Sequence, residues 1–433
     1  MSFALRRKIR LDHEHIAFVL QGGGALGAYQ AGVFEELVAL PGEPHWVAGV
    51  SIGAINAALI AGNAPQQRLA RLAEFWQLVS SGPVRGLPSA ALFGDHQRGA
   101  FNQWSAAWSA SFGVPGFYRP RLPPALFAPD GSPGAISIYD NSDLRATLAR
   151  LVDFDRINSY DGASRSSELM RLSVGAVNVA TGNSIYFDNT KEKIGPEHIM
   201  ASCALPPAFA PVVIGGESYW DGGIVSNTPL QYVLDERGAG KLMIVQVDLF
   251  PARGAIPIDL PGVLQRQKDI MYSSRTRYST TKVAELQRTR RAMQRLIARL
   301  PPKLRDDSDV RALAATLSTA PVDIVHLIYR QSAWESESKD YEFSRASVDE
   351  HWAAGRRDMQ RTREHPDWLS GANLDEGVRV YDLGQGFEAA PGEALLDTAL
   401  TKIAATLAPP GHAAPRSAKK SRPNPKSRSP LKT

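Results

Sequence analysis

The chain has 433 residues, 43% of them hydrophobic, with 49 Lys and Arg against 44 Asp and Glu; it is long enough to bury a large core and too apolar for a disordered chain. The single cysteine, Cys203, excludes an internal disulfide, and the basic N-terminus lacks the apolar core and cleavage site of a signal peptide, so a cytoplasmic protein is expected. Residues 409–433 hold seven basic residues and no acid, leaving 42 basic and 44 acidic residues in the rest; the excess charge belongs to a tail expected to be disordered. No readout motif accompanies it, so specific nucleic-acid binding is not expected.

In chain order, the apolar run HIAFVL (15–20) ends in Gly22, Gly23 and Gly24 and opens an amphipathic helix. A second run, HWVAGV, ends in Gly49-Val50-Ser51-Ile52-Gly53 and opens another helix. The glycines flanking Ser51 allow the sharp strand-to-helix turn that exposes a nucleophilic hydroxyl. The first loop offers backbone N–H groups at the positive end of a helix, suited to a developing oxyanion. Gly22 to Gly27 also satisfy the dinucleotide-binding G-x-G-x-x-G. That reading needs an acidic residue about 20 positions later, where Ala48-Gly49-Val50-Ser51 stands instead. No Gly-Lys-Ser or Gly-Lys-Thr follows, which excludes a P-loop. The region from Ile16 to Val33 is broken by Gln21, Gln30 and five glycines, a poor membrane span.

Pro65 then opens a helix with Leu69, Leu72, Trp76 and Val79 on one face, stopped by Gly82-Pro83. The stretch 83–137, rich in Gly, Pro and aromatics, reads as a long loop covering an apolar substrate pocket, or equally as a satellite core. A helix from Asp143 to Leu151, strands at Leu172–Val179 and Ile185–Phe187, and a buried strand at Leu242–Val247 follow. Strands alternating with helices predict an α/β fold, a mainly parallel sheet with helices on both faces. Residues 251–320 read as a basic helical segment, strongly basic from Leu264 to Leu300. There Val283, Leu286, Met293, Ile297 and Leu300 form an apolar stripe that suits either a packed helix or an anionic membrane surface. One more strand at Ile324–Ile328 and a helical region near Asp349–Arg363 close the ordered part, within a segment 321–408 that could pack on the core.

Tyr219-Trp220-Asp221-Gly222-Gly223 ends a short apolar segment and precedes the turn-prone Asn227-Thr228-Pro229. Here the chain resembles the patatin-like lipid acyl hydrolases, over roughly residues 12–250, in an ordered set of three motifs. The resemblance implies a Gly-rich oxyanion loop at Gly22, Gly23, Gly24 and Gly27, and a Ser51 nucleophile between Gly49 and Gly53. It also implies Asp221, in a loop with Gly222 and Gly223, as the base of a Ser-Asp dyad without histidine. The segment Ala201-Ser202 through Leu205-Pro206 is also similar to the family pattern. One departure is Leu26, where many members carry Arg or Lys that could assist the oxyanion; the work then falls to backbone N–H groups. Pro321–Trp352 looks like the C-terminal extension of a bacterial subgroup, to which no chemistry attaches.

These readings predict a serine acyl hydrolase that cleaves lipid esters, with no metal and no cofactor. A storage polyester or acyl thioester would suit the same dyad, and a lipid-binding protein without catalysis would be expected to lack Ser51 or Asp221. His198 and His326 are conceivable triad members to which the resemblance gives no role. Cys203 reads as a small buried filler. Peripheral contact with anionic membrane is expected through 275–300 and the tail at 409–433.

Overall fold

The computed structural model describes residues 15–40, 43–82, 95–162, 168–238, 240–274, 276–317, 321–330, 335–364 and 378–381. The expected tail at 409–433, the stretch 382–408 and the start of the expected pocket cover, 83–94, lie outside them. Strands β1 (His15–Leu20) and β2 (Trp46–Val50) are followed by a short separate ladder, β3 (Arg119–Pro120) with β4 (Tyr139–Asp140). Then come β5 (Arg171–Asn178), β6 (Ser184–Asp188), β7 (Val212–Ile214), β8 (Glu217–Asp221), β9 (Leu242–Asp248), β10 (Val322–Ile328) and β11 (Val378–Tyr381). Six of them, in the order β11-β10-β9-β1-β2-β5, are parallel. β6 and β8 join β5 antiparallel, and β7 joins β8. The fold is thus a mainly parallel mixed sheet, as the alternation of strands and helices predicts.

The continuous apolar runs follow from burial on both faces. Along β1, Ile16, Phe18 and Leu20 enter the larger core with helices α1 (Gly27–Leu37), α2 (Ile52–Ala61) and α3 (Arg68–Val79). The alternate residues Ala17 and Val19 enter a smaller core with Leu230, Val233 and Leu234 of the short helix Leu230–Asp235. On α3, Leu72, Trp76 and Val79 are buried, the face that the spacing marks.

The described residues beyond 320 join this core. β10 pairs with β9 and β11 with β10. The helix Arg345–Glu364 lies on α1 so closely that a Cβ on Gly32 would stand 1.9 Å from the Trp352 carbonyl oxygen, and one on Gly355 2.0 Å from that of Tyr29. The described residues of the basic segment form four helices, Leu260–Tyr272, Thr276–Arg299, Pro302–Arg305 and Ser308–Thr316, and on the second Leu286 and Met293 stay exposed.

One expectation is corrected. Residues 95–112 of the supposed loop form a regular helix, α4 (Asp95–Phe112). The large apolar side chains beyond it divide: Phe117 and Tyr118 are buried against Tyr139, Phe209 and Phe343, whereas Leu122, Leu126 and Phe127 face solvent. A cavity of about 340 Å³ opens between Trp108, Phe112, Val114, Tyr118 and Phe343. Ser51 and Asp221 do not line it.

Candidate active site

Ser51 sits between β2 and α2 with φ 56° and ψ −126°, the one non-glycine residue with positive φ among those described. Such a conformation is strained for an L-residue and is held by the surrounding structure. Both flanking glycines are required by close approach. A Cβ on Gly49 would lie 2.2 Å from the Gly53 carbonyl oxygen, and one on Gly53 2.5 Å from that of Leu20. The turn is pinned from outside the elbow. Ser51 N–H donates to Ser202 Oγ (2.9 Å), Ser202 Oγ donates to the Gly175 carbonyl (2.6 Å), and Cys203 Sγ donates to the Ser51 carbonyl (3.2 Å). Cys203 is therefore more than a filler, although burial raises its thiol pKa well above the usual value and keeps it unreactive.

Asp221 arrives beside Ser51 through the branching of β5. Ser173, Val174 and Gly175 have β2 on one edge and β6 on the other, while Ala176 and Val177 have β8 and β6. β8 therefore occupies the same edge as β2, end to end with it. The Ser51 hydroxyl hydrogen-bonds the Asp221 carboxylate, and Gly223 N–H donates to Asp221 Oδ1 at 2.7 Å. Asp221 is 2% exposed. Burial pushes its pKa up to about 7, against the opposing pull of the Ser51 and Gly223 hydrogen bonds. A carboxyl that titrates near neutrality suits a general base.

The glycine loop runs from Gln21 into a 3₁₀ turn, Gly24–Leu26, before α1. Gly22 abuts Ser51, with a Cβ there lying 3.0 Å from that of the serine. Its N–H donates to the Asn227 carbonyl (3.2 Å), Ala25 N–H donates to the Asp340 carbonyl (2.7 Å), and Gly27 N–H turns back to the Gly24 and Ala25 carbonyls. Among the described residues, the N–H groups of Gly23 and Gly24 have no acceptor. Gly24 has φ +54°, and a Cβ there would stand 2.0 Å from the Asp340 carbonyl oxygen. Leu26 is fully buried, so no cation comes from that position.

Gln21, Asn227, Tyr272 and Asp340, to which the motifs give no role, hold this loop. Gln21 Oε1 accepts from the N–H groups of Leu249 (2.6 Å) and Phe250 (2.9 Å), and Gln21 Nε2 donates to Thr228 Oγ1 (2.8 Å) and the Tyr272 carbonyl (3.1 Å). Asn227 Nδ2 donates to the carbonyls of Gly22 (3.1 Å) and Tyr272 (3.0 Å). Asp340 supplies the carbonyl at the other end. The histidines stand elsewhere: His198 caps its helix against Gly195, and His326 Nε2 pairs with Asp248 Oδ2 at 2.6 Å. Neither is a partner of Ser51 or Asp221 among the described residues.

A mainly parallel sheet with a strained serine elbow is the framework of a hydrolase. The chain belongs to the patatin-like phospholipase family: the family model "Patatin-like phospholipase" matches residues 18–234, and a second, "Patatin phospholipase", matches 270–373. It is a hydrolase of that family. Among solved structures, VipD from Legionella pneumophila is similar at 14% identity, covering 91% of this chain and 77% of that one, with a TM-score of 0.35. The ExoU–SpcU complex of Pseudomonas aeruginosa gives 14% identity, coverage of 81% and 76%, and a TM-score of 0.27. A comparison with curated proteins gave no match.

Proposed function

We propose that the protein is a serine acyl hydrolase that cleaves ester bonds of lipids with Ser51 and Asp221 as a dyad. The observation that carries this reading is the hydrogen bond between a hydroxyl on a strained elbow and a buried carboxylate whose pKa lies near 7. Asp221 accepts the Ser51 proton as Oγ attacks the carbonyl carbon; the N–H groups of Gly23 and Gly24 receive the negative charge on the carbonyl oxygen. Collapse of the tetrahedral species returns the proton to the leaving alcohol and leaves the acyl group on Ser51. Water, deprotonated by Asp221, then attacks the acyl-enzyme, and Ser51 recovers its proton as the acid leaves.

A storage polyester or an acyl thioester would pass through the same steps, and pocket shape would set the choice. A panel of glycerophospholipids, soluble acyl esters of graded chain length, polyesters and thioesters separates these readings. Turnover of long-chain lipid esters, lost in Ser51→Ala, supports the lipid reading; turnover of polyester or thioester alone overturns it. Contact with an anionic lipid surface through 275–300 and 409–433 belongs to the same reading. Among the described residues, no helix is long and apolar enough to cross a membrane.

A further inference from the structure

We propose that the C-terminal segment is part of the catalytic apparatus, with Lys339 as a positioning residue: the helix Leu260–Tyr272 and the turn 335–340 grip the oxyanion loop from both ends, and the buried Lys339–Asp269 pair seats one on the other. This rests on the dyad reading above. At one end of the loop, the Tyr272 carbonyl receives the side chains of Gln21 and Asn227, and Asn227 also bonds the Gly22 carbonyl. At the other, the Asp340 carbonyl receives Ala25 N–H and touches the backbone of Gly24. The two donors assigned to the oxyanion, on Gly23 and Gly24, lie between these grips.

Tyr272 and Asp340 are joined by charge pairs. Lys339 Nζ bonds Asp269 Oδ1 at 2.8 Å, with side chains 1% and 7% exposed. Lys268 Nζ bonds the Glu337 carbonyl at 2.9 Å and also Asp340 Oδ1. The helix thus turns charged residues inward and leaves Leu260, Val263, Leu264 and Met271 exposed, the reverse of an ordinary surface helix. Lys339 Nζ also lies 5.6 Å from the Phe250 ring centroid, next to the Leu249 and Phe250 N–H groups that hold Gln21.

A buried ion pair adds little stability over an apolar pair, yet it fixes registry, because either charge left alone is strongly penalised. Registry is what this loop needs. Oxyanion donors act only within about 2.7 to 3.1 Å of the oxygen, and misplacement by about 1 Å costs up to about 10²-fold in rate. With Leu26 in place of a cation, the donors to keep in position are backbone N–H groups.

The test compares Lys339→Met, Lys268→Met and the double variant Lys339→Met with Asp269→Leu, using a soluble short-chain ester. Lys339→Met is expected to lower kcat about 10- to 10²-fold with KM within about twofold, because the donors act on the transition state. The double variant, which removes both charges, is expected to recover most of that loss. Phosphonate inactivation at Ser51 should slow in parallel with kcat/KM, while ester affinity in a Ser51→Ala background stays unchanged. A merely structural role would not split these readouts. If Lys339→Met fails to fold, Lys268→Met carries the test, since its side chain is 24% exposed. Folded variants with wild-type kcat, or a loss confined to KM, overturn the proposal. A wild-type protein that neither cleaves esters nor takes phosphonate at Ser51 defeats the dyad reading itself.

Discussion

Asp221 stands opposite Ala176 on the edge of β5 where Val50 stands opposite Gly175, so the strand carrying Asp221 ends where the strand leading into Ser51 ends. β5, with eight residues, is longer than the five-residue β2, and its overhang receives β8. The pairing of Ser51 with Asp221 is therefore a property of the sheet, and loop rearrangement is not needed to bring them together.

Ser51→Ala and Ser51→Gly should both abolish ester hydrolysis and phosphonate labelling. They should differ in stability. Glycine adopts the positive φ of the elbow freely, whereas alanine keeps the strain, a difference of about 1 to 3 kcal/mol. Denaturant midpoints decide it; a glycine variant no more stable than the alanine variant would show that the elbow is unstrained.

Asp221→Asn should lower kcat by about three orders of magnitude or more, whereas His198→Ala and His326→Ala should leave the chemistry in place. The histidines bond Gly195 and Asp248, away from the reacting groups. A folded histidine variant as inactive as Ser51→Ala would mean that the base is not Asp221.

The kcat/KM profile should fall on the acid side with an apparent pKa of about 7, set by burial of Asp221. Stability should run the other way. The folded carboxyl holds its proton up to about pH 7, while the unfolded one releases it near 4, so folding binds a proton in that window. The contribution of Asp221 is fully present below about pH 4 and is lost as pH rises through 7. Asp221→Asn, free of this penalty, should gain in Tm relative to wild type between pH 5 and pH 8; a constant difference would argue against a raised pKa.

In the glycine loop, Gly23→Ala should cost about 10² to 10³ in kcat. Its added Cβ meets the Leu249 side chain at 2.7 Å, a neighbour that can shift. Gly24→Ala should also impair folding, because it meets a backbone oxygen at 2.0 Å from a positive φ. Soluble yield and activity of the two variants, measured together, test the distinction.

Vesicle sedimentation tests the electrostatic part of lipid association. The chain ending at Ala408, which lacks seven basic residues, should bind anionic vesicles more weakly than the full chain, and both should lose binding in high salt. Activity on soluble esters should be equal. Equal binding by both would leave the tail as a solvated appendage.

Local signals carry the parts of the site that are legible in the sequence. The two strand-to-helix turns declare themselves because each puts an apolar run, its glycines and a helix in one short stretch. The parallel sheet follows from alternation. α4 is missed although Phe101, Trp104, Trp108 and Phe112 recur at helical spacing, because Gly and Pro surround it and Trp104 and Phe112 face solvent. The grips on the glycine loop are invisible for another reason: Tyr272 and Asp340 act through backbone carbonyls, which any residue type provides. Gln21 and Asn227 do carry side-chain chemistry, but their partners lie too far along the chain for a pattern to show.

The placement of β1 at the middle of the sheet gives the nascent chain a timetable. His15–Leu20 leaves the ribosome long before its neighbour β9, so one of its edges stays open until Leu242–Val247 emerges. The carbonyl that steadies the glycine loop, on Asp340, comes later still. During synthesis the serine elbow therefore precedes the scaffold that completes it, and the growing polypeptide exposes an unpaired central strand that chaperones have reason to cover.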